Sequence, residues 1–273
     1  MYINGVFEGG GIKGIAYIGA IRFLEERGFR FKYVGGSSVG SLFSSLLAAK
    51  FTSYEMENIV KKFDVNILTA SKSKKPIAKF INGIKYKGLY SMSYFENFLD
   101  NLLKEKNCSK FIDVKVGEDY FLKIIVTDYK NKKMITIPDD LGLYNYSKDA
   151  FPIAKAVAMS CSMPIVFVPY KIQGNVFIDG GVVNNFPINL FSKQQIPTIG
   201  FKLNEYAKET SIINKYKSKI FQTNVEYKLD SYNIVDINTG KYKVTDFKKG
   251  LENYKDLIKL GYNSMRDYFY KKH

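Results

Sequence analysis

Two short segments hold residues whose types and spacing could do chemistry. Gly36-Ser37-Ser38-Val39-Gly40 fits the pattern G-x-S-x-G. In that pattern the serine occupies a sharp strand-to-helix turn and lifts its hydroxyl above the edge of a sheet. Gly36 and Gly40 leave the room such a turn needs. A serine at a helix N-terminus also gains from the partial positive charge there, which favours an alkoxide-like transition state. The chemistry would be nucleophilic attack on an acyl carbonyl by Ser38. The plain alternative is that Ser38 only caps its helix.

The second segment is the glycine cluster Gly9-Gly10-Gly11-Ile12-Lys13-Gly14. Gly9, Gly11 and Gly14 match G-x-G-x-x-G, the dinucleotide-binding fingerprint. That reading requires an acid at the end of the second strand to meet the ribose hydroxyls. The sequence there is Tyr33-Val34-Gly35-Gly36, with no acid. A phosphate loop of the Gly-Lys-Ser/Thr kind fails as well, because Gly14 is followed by Ile15. The remaining chemical reading is an oxyanion hole. Successive glycines let backbone N–H groups converge on one point, and each such donor is typically worth about 3–4 kcal/mol to an acyl-transfer transition state. A tight strand-to-helix turn is the structural alternative.

A serine nucleophile needs a base. The 273 residues contain one histidine, His273, at the chain end. Chain ends fray, so Ser-His-Asp and Cys-His catalysis and histidine-ligated zinc are not expected. The base is therefore Asp, Glu, Lys or Tyr, and composition does not choose among them. Two cysteines set far apart, Cys108 and Cys161, make neither a disulfide framework nor a cysteine-rich metal site. They fit a reducing compartment. No metal or cofactor is expected.

The elements around these segments read as α/β. Residues 2–8 form a first strand, the glycine loop follows, and Ile15, Ile18, Ile21 and Leu24 mark a helix to about Arg27. Gly28 stands where a helix C-terminus favours glycine. Residues 29–35 alternate as a strand and lead into the serine turn and a helix from Ser41 to about Lys50. Helices are expected over 53–68, 91–106 and 151–160, and strands over 120–127, 133–137, 176–178, 196–203 and 232–237. A long helix closes the chain. Strand, loop and helix in alternation predict a parallel sheet. One domain over 1–273 is expected, with 205–273 its mostly helical C-terminal part.

The chain carries 41 Lys+Arg against 26 Asp+Glu, a net charge of +15. Only Arg22, Arg27, Arg30 and Arg266 are arginines, whereas base-reading proteins favour Arg, so a nucleic-acid role is not expected. Residues 71–87 hold Lys72, Lys74, Lys75, Lys79, Lys85 and Lys87 with no acid. They read as a surface loop or cover. Apolar neighbours Ile77, Phe80, Ile81 and Ile84 would suit contact with an anionic lipid surface, and a biased residue usage explains the charge equally well. No secretory signal and no run of 18 apolar residues is present, so a cytoplasmic location is expected, with peripheral membrane contact or export without a signal as its extensions.

Taken together, the chain resembles the patatin-like phospholipase family. Glu8-Gly9-Gly10-Gly11-Ile12-Lys13-Gly14 is similar to its oxyanion loop Asp-Gly-Gly-Gly-x-Arg/Lys-Gly. Gly36-Ser37-Ser38-Val39-Gly40 is similar to its nucleophile elbow. Asp179-Gly180-Gly181 resembles its Asp-Gly-Gly/Ala motif, which supplies the second member of a Ser-Asp dyad. Ala158–Pro164, Asp179–Pro187 and Thr245-Asp246-Phe247 resemble supporting stretches. Two departures stand out: Glu8 where Asp is usual, and Phe186 between Asn185 and Pro187. The resemblance implies a three-layer α/β/α fold with a mostly parallel central sheet. It implies that Ser38 is the nucleophile, Asp179 its base, and the N–H groups of Gly10, Gly11 and Val39 the oxyanion donors. The substrate implied is a phospholipid or other acyl ester. Acyl transfer to an alcohol, or lipid binding without turnover, are the rival activities. Head group, acyl position and any activator are not legible.

Overall fold

The computed structural model describes residues 1–66, 79–81, 84–86, 90–164, 166–204 and 232–272, with backbone alone for 79–81, 84–86 and 272. The strands are β1 (Tyr2–Phe7), β2 (Arg30–Ser37), β3 (Lys79–Ile81), β4 (Ile84–Tyr86), β5 (Lys115–Val116), β6 (Asp119–Tyr120), β7 (Leu122–Asp128), β8 (Lys133–Ile137), β9 (Tyr170–Ile172), β10 (Asn175–Asp179), β11 (Thr198–Asn204) and β12 (Asn233–Asn238). The helices are α1 (Ala16–Glu26), α2 (Val39–Ala48), α3 (Ser53–Lys62), α4 (Ser93–Glu105), α5 (Ile153–Ser160), α6 (Phe247–Glu252) and α7 (Tyr254–Lys272).

One large sheet organises the molecule. β12, β11, β1, β2 and β7 run parallel in that order, and β8, β10 and β9 complete it with antiparallel pairings. Its central strands are nearly continuous apolar runs, as strands covered on both faces must be: β1 is buried from Ile3 to Phe7, and β7 keeps Ile124, Ile125 and Val126 wholly inside. The expected three-layer α/β/α architecture with a mostly parallel central sheet is what forms.

The register of β7 has a consequence for function. One edge of β7 pairs with β8 from Ile124 to Asp128. Its other edge is shared by two strands. β2 covers Leu122 to Ile125 in parallel, ending at Ser37 opposite Ile125. β10 covers Val126 to Asp128 in antiparallel, ending at Asp179 opposite Val126. Two strands running toward each other along one edge thus stop at neighbouring β7 residues, and Ser38 and Asp179 stand at their facing ends.

Aromatic packing sets the floor beneath. Phe7 of β1 stacks on Phe201 of β11 at 4.6 Å between ring centroids, and Tyr17 of α1 meets Phe7 edge-on at 5.1 Å. The Tyr17 hydroxyl donates to the Glu8 carbonyl at 2.6 Å, and burial pushes its pKa up. The buried tyrosine therefore pins the start of the glycine loop.

Some elements depart from the sequence expectation. The helix expected from Ile15 begins as a 3-10 turn over Gly11–Ile15. The helix after the serine turn starts at Val39 rather than Ser41, because the Ser38 carbonyl already accepts the Ser41 N–H. The helix expected over 53–68 ends at Lys62, where Phe63 turns extended, and residues 67–68 lie outside those described. Within the Lys-rich stretch, β3 and β4 pair as an antiparallel ribbon, not a loop; residues 71–78, 82–83 and 87 lie outside those described, as do 205–231.

α7 packs along α1 through glycine contacts. A Cβ on Gly19 would meet the Ile258 carbonyl oxygen at 1.8 Å, and one on Gly261 would meet the Ala16 carbonyl oxygen at 1.7 Å. The obstacles are backbone, so they cannot rotate aside. Gly19→Ala and Gly261→Ala should each lower unfolding stability by about 1–3 kcal/mol, the usual cost of overpacking. Urea denaturation of each variant beside Gly28→Ala would check this, since Gly28 has open space around its Cα and only its φ of +76° to strain. Equal losses in all three would refute the close-packing account.

Candidate active site

Ser38 has φ 50° and ψ −126°, a conformation costly for a residue with a side chain. Three sets of contacts hold it there. Its carbonyl accepts the Ser41 N–H at 2.9 Å and the Ser41 hydroxyl at 2.6 Å. Its own N–H donates to Ser160 Oγ at 2.9 Å. The turn is also pressed on the end of β1: a Cβ at Gly36 would meet the Phe7 carbonyl oxygen at 2.5 Å, and one at Gly40 would meet it at 2.2 Å. Both glycines are present because backbone occupies the space a side chain would need.

The hydroxyl so presented is buried and donates to Asp179 Oδ2 at 2.7 Å. Asp179 has its other oxygen engaged, with Oδ1 accepting the Gly181 N–H at 2.7 Å. Its backbone is fixed on both sides, for its carbonyl accepts from Thr127 Oγ1 at 2.8 Å and its N–H donates to the Ser162 carbonyl at 3.1 Å. Gly180 lies so close to β7 that a Cβ would come within 2.1 Å of the Ile125 carbonyl oxygen. The carboxylate is thus aimed at one hydroxyl by its surroundings. No histidine lies among the described residues, and no group of three or more metal-binding side chains is found among them.

The glycine loop abuts this pair. A Cβ on Gly9 would sit 3.2 Å from Ser38 Cβ, and one on Gly14 would press Val39 at 2.6 Å. Gly10 and Gly11 N–H have no hydrogen-bond acceptor among the described residues, whereas the Ile12 N–H is spent on Val244 and the Lys13 N–H on Gly10. Val39 begins α2, where a first-turn N–H has no partner within the helix. Lys13 is buried at 1% exposure within the same turn. Gly11 has φ +53°, and a Cβ there would strike the Val244 carbonyl oxygen at 2.2 Å; a Cβ on Gly10 would meet only the end of the Leu203 side chain. A side chain at Gly11 would therefore disturb folding as well as chemistry, and Gly10 is the cleaner probe of the loop.

Glu8 is explained by what it reaches. Its Oε2 accepts the Leu203 N–H at 2.7 Å and its Oε1 accepts Asn185 Nδ2 at 3.2 Å. Asn185 also donates from Nδ2 to the Gly9 carbonyl at 3.0 Å and accepts the Gly9 N–H on its own carbonyl at 3.0 Å. The Asn-Asn turn after Asp179 is thereby stitched to the glycine loop. Phe186, the inserted residue, packs with Val6, Ile188 and Phe191 in a small core of its own.

A cavity of about 1040 Å³, counting its open mouth, leads away from Ser38. α2 contributes Leu42 and Leu46, α3 Met56 and Val60, α4 Phe95, Phe98 and Leu102, and α6 Phe247 and Leu251. Among the described residues, Ser38 and Cys161 are the only side chains with a polar hydrogen on its wall. Burial, followed by the nearby Asp179 charge, pushes the Cys161 thiol up, so it lines the wall as an uncharged group. α3 and α4 are fastened together by Glu55, which caps the N-terminus of α3 and pairs with Lys106 Nζ at 2.6 Å. The Lys106 ammonium, with the Thr52 N–H, holds the Glu55 carboxyl down to about 2.

Every sequence-predicted site residue, from Gly9 through Gly14, Gly36, Ser38 to Gly40 and Asp179 to Gly181, lies at this one place. Sequence reasoning missed the cavity wall and the roles of Ser160 and Asn185. The wall had a signal in the broad apolar faces of α3 and α4; the two polar residues had none beyond their motif neighbourhood.

Comparison with known proteins shows the family of the chain. The patatin-like phospholipase family profile matches residues 5–192. An uncharacterized protein, YqhO, of Bacillus subtilis (strain 168) is 40% identical over 74% of this chain and 72% of its own length. The "probable lipid hydrolase 463L" of Invertebrate iridescent virus 6 is 29% identical over 90% of this chain and 86% of its own. In fold, the crystal structure of VipD from Legionella pneumophila matches with a TM-score of 0.55 at 18% identity, covering 97% of this chain and 66% of VipD. This chain belongs to the patatin-like phospholipase family.

Proposed function

We propose that the protein is a lipid acyl hydrolase of phospholipase A type that works through a Ser38–Asp179 dyad. The observation that carries the reading is the 2.7 Å hydrogen bond to the Asp179 carboxylate from a strained, buried serine hydroxyl that lines an apolar cavity. Ser38 Oγ attacks the ester carbonyl and its proton passes to Asp179. The N–H groups of Gly10, Gly11 and Val39 stabilise the oxyanion. Collapse of the tetrahedral species expels the alcohol, which takes the proton from Asp179. Water, deprotonated in turn by Asp179, attacks the acyl carbonyl and releases the fatty acid, and Asp179 returns the proton to Ser38 Oγ. An isolated aspartate is a weak base, with a pKa near 4, so its value rests on direct placement at the hydroxyl. The cavity wall suits a fatty acyl chain, because burial of each methylene is worth about 0.8 kcal/mol and the described wall residues are almost all apolar.

Ser38→Ala and Asp179→Asn should each lower turnover of phospholipid and p-nitrophenyl esters by about a thousandfold or more. Near-full activity in either would refute the dyad. Release of free fatty acid, measured with and without an added alcohol, separates hydrolysis from acyl transfer.

Val60→Trp should narrow the cavity away from the reacting atoms. Its kcat/KM should fall on palmitoyl esters while staying near wild type on butyryl esters. Equal losses on both would mean that the cavity does not hold the acyl chain.

The reading extends to peripheral contact with anionic lipid. It is supported by the net charge of +15 and by Lys61 and Lys62 in the last turn of α3, beside the partly exposed cavity residues Ile59, Val60 and Phe63. Among the described residues no helix is long and apolar enough to cross a membrane. Co-sedimentation with liposomes should rise with anionic lipid content and fall with salt; binding indifferent to both would remove this extension.

A further inference from the structure

Ser160, the last residue of α5, is wholly buried. Its hydroxyl accepts the Ser38 N–H at 2.9 Å and donates to the Ile125 carbonyl at 2.6 Å. The register explains why a hydroxyl is needed there. Ser37 pairs with Ile125 in parallel, so the Ile125 carbonyl is the ladder acceptor for the N–H of the next residue, Ser38. Ser38 has already turned out of the sheet. The next residue of β7, Val126, is paired with Asp179 of β10. The Ser160 oxygen fills the gap between the two strand ends and satisfies one buried donor and one buried acceptor. Two residues on, the Ser162 carbonyl accepts the Asp179 N–H at 3.1 Å. One tripeptide of α5's end therefore holds both members of the pair.

We propose that Ser160 is a positioning residue for acyl transfer. Its hydroxyl fixes the strained Ser38 backbone so that Oγ stays on Asp179, and it occupies the Ser38 N–H, leaving the oxyanion to the glycine loop and Val39. This rests on the reading of Ser38 as nucleophile and Asp179 as its base. A hydrogen bond that served stability alone would, when removed, reduce the fraction of folded protein. A positioning bond reduces the turnover of each folded molecule, because misplacing a nucleophile by about 1 Å costs on the order of a hundredfold.

The test compares Ser160→Ala with Ser160→Thr, which keeps the hydroxyl, and with Ser45→Ala. Ser45 is equally buried and donates to the Leu42 carbonyl at 2.7 Å without touching the Ser38–Asp179 pair. Active sites are counted by end-point labelling with a fluorophosphonate, and kcat and KM on butyryl p-nitrophenyl ester are expressed per labelled site. Ser160→Ala is expected to lose about 10- to 100-fold in kcat per site, with KM within about twofold and the labelling rate slowed in step. Ser160→Thr is expected to recover most of the loss, and Ser45→Ala to match wild type per site. Wild-type kcat per site in Ser160→Ala, whatever its melting temperature, would overturn the proposal. So would a loss confined to KM, or Ser160→Thr as slow as Ser160→Ala. Ser38→Ala run alongside keeps the two ideas apart: labelling of that variant would sink the dyad reading itself.

Discussion

The edge of β7 is the constraint on which the site depends. A strand edge offers each carbonyl and N–H to one neighbour, and here two strands divide it: β2 up to Ile125, β10 down to Val126. The strand ends therefore face each other across about one residue of ladder, and Ser38, just beyond the end of β2, and Asp179, the last residue of β10, come within hydrogen-bonding distance with no intermediary. A wholly parallel sheet would send every strand end to the same side and could not oppose two of them in this way. The antiparallel arrival of β10 is what sets a carboxylate opposite the serine.

That geometry bears on a site with no histidine among the described residues. An imidazole between serine and aspartate normally supplies both a matched pKa and a long reach. With the carboxylate directly on the hydroxyl, reach is unnecessary, but tolerance to misplacement is lost. The structure compensates by fixing everything around the pair. Asp179 has its second oxygen on Gly181, its carbonyl under Thr127 and its N–H on Ser162. Ser38 has its carbonyl and N–H both engaged. The neighbouring thiol of Cys161 is pushed up by burial and then by the Asp179 charge.

The sequence made the chemistry legible to the extent that chemistry is carried by backbone conformation. Gly36, Gly40, Gly11 and Gly180 can be read because each marks a place where another backbone lies too close for a side chain, and glycine is the only residue that permits it. Strand and helix order was legible for the same local reasons, with errors at the ends: the start of α2 was set by Ser38's own carbonyl, and the end of α3 by the extended Phe63. Beyond the Ser38–Asp179 pair that the resemblance implies, partnerships made across the chain could not be read. Ser160 looks like one of several serines before a proline, and only the sheet register reveals that its hydroxyl meets a residue 122 positions away. Asn185 was seen as part of a turn, yet its role is set by Glu8 and Gly9 at the other end of the fold.

Glu8 shows how such distant pairings can absorb a departure from the family pattern. A shorter aspartate would need the Leu203 N–H and Asn185 to stand nearer the β1 end. The extra methylene of Glu8 reaches both from where they are, and Tyr17 holds the Glu8 carbonyl from below so that the longer side chain starts from a fixed point. The substitution therefore changes the length of a tether and leaves its two anchor points joined. Since those anchors set the glycine loop against the Asn-Asn turn that follows Asp179, the same contacts that tolerate glutamate also keep Gly9 against Ser38.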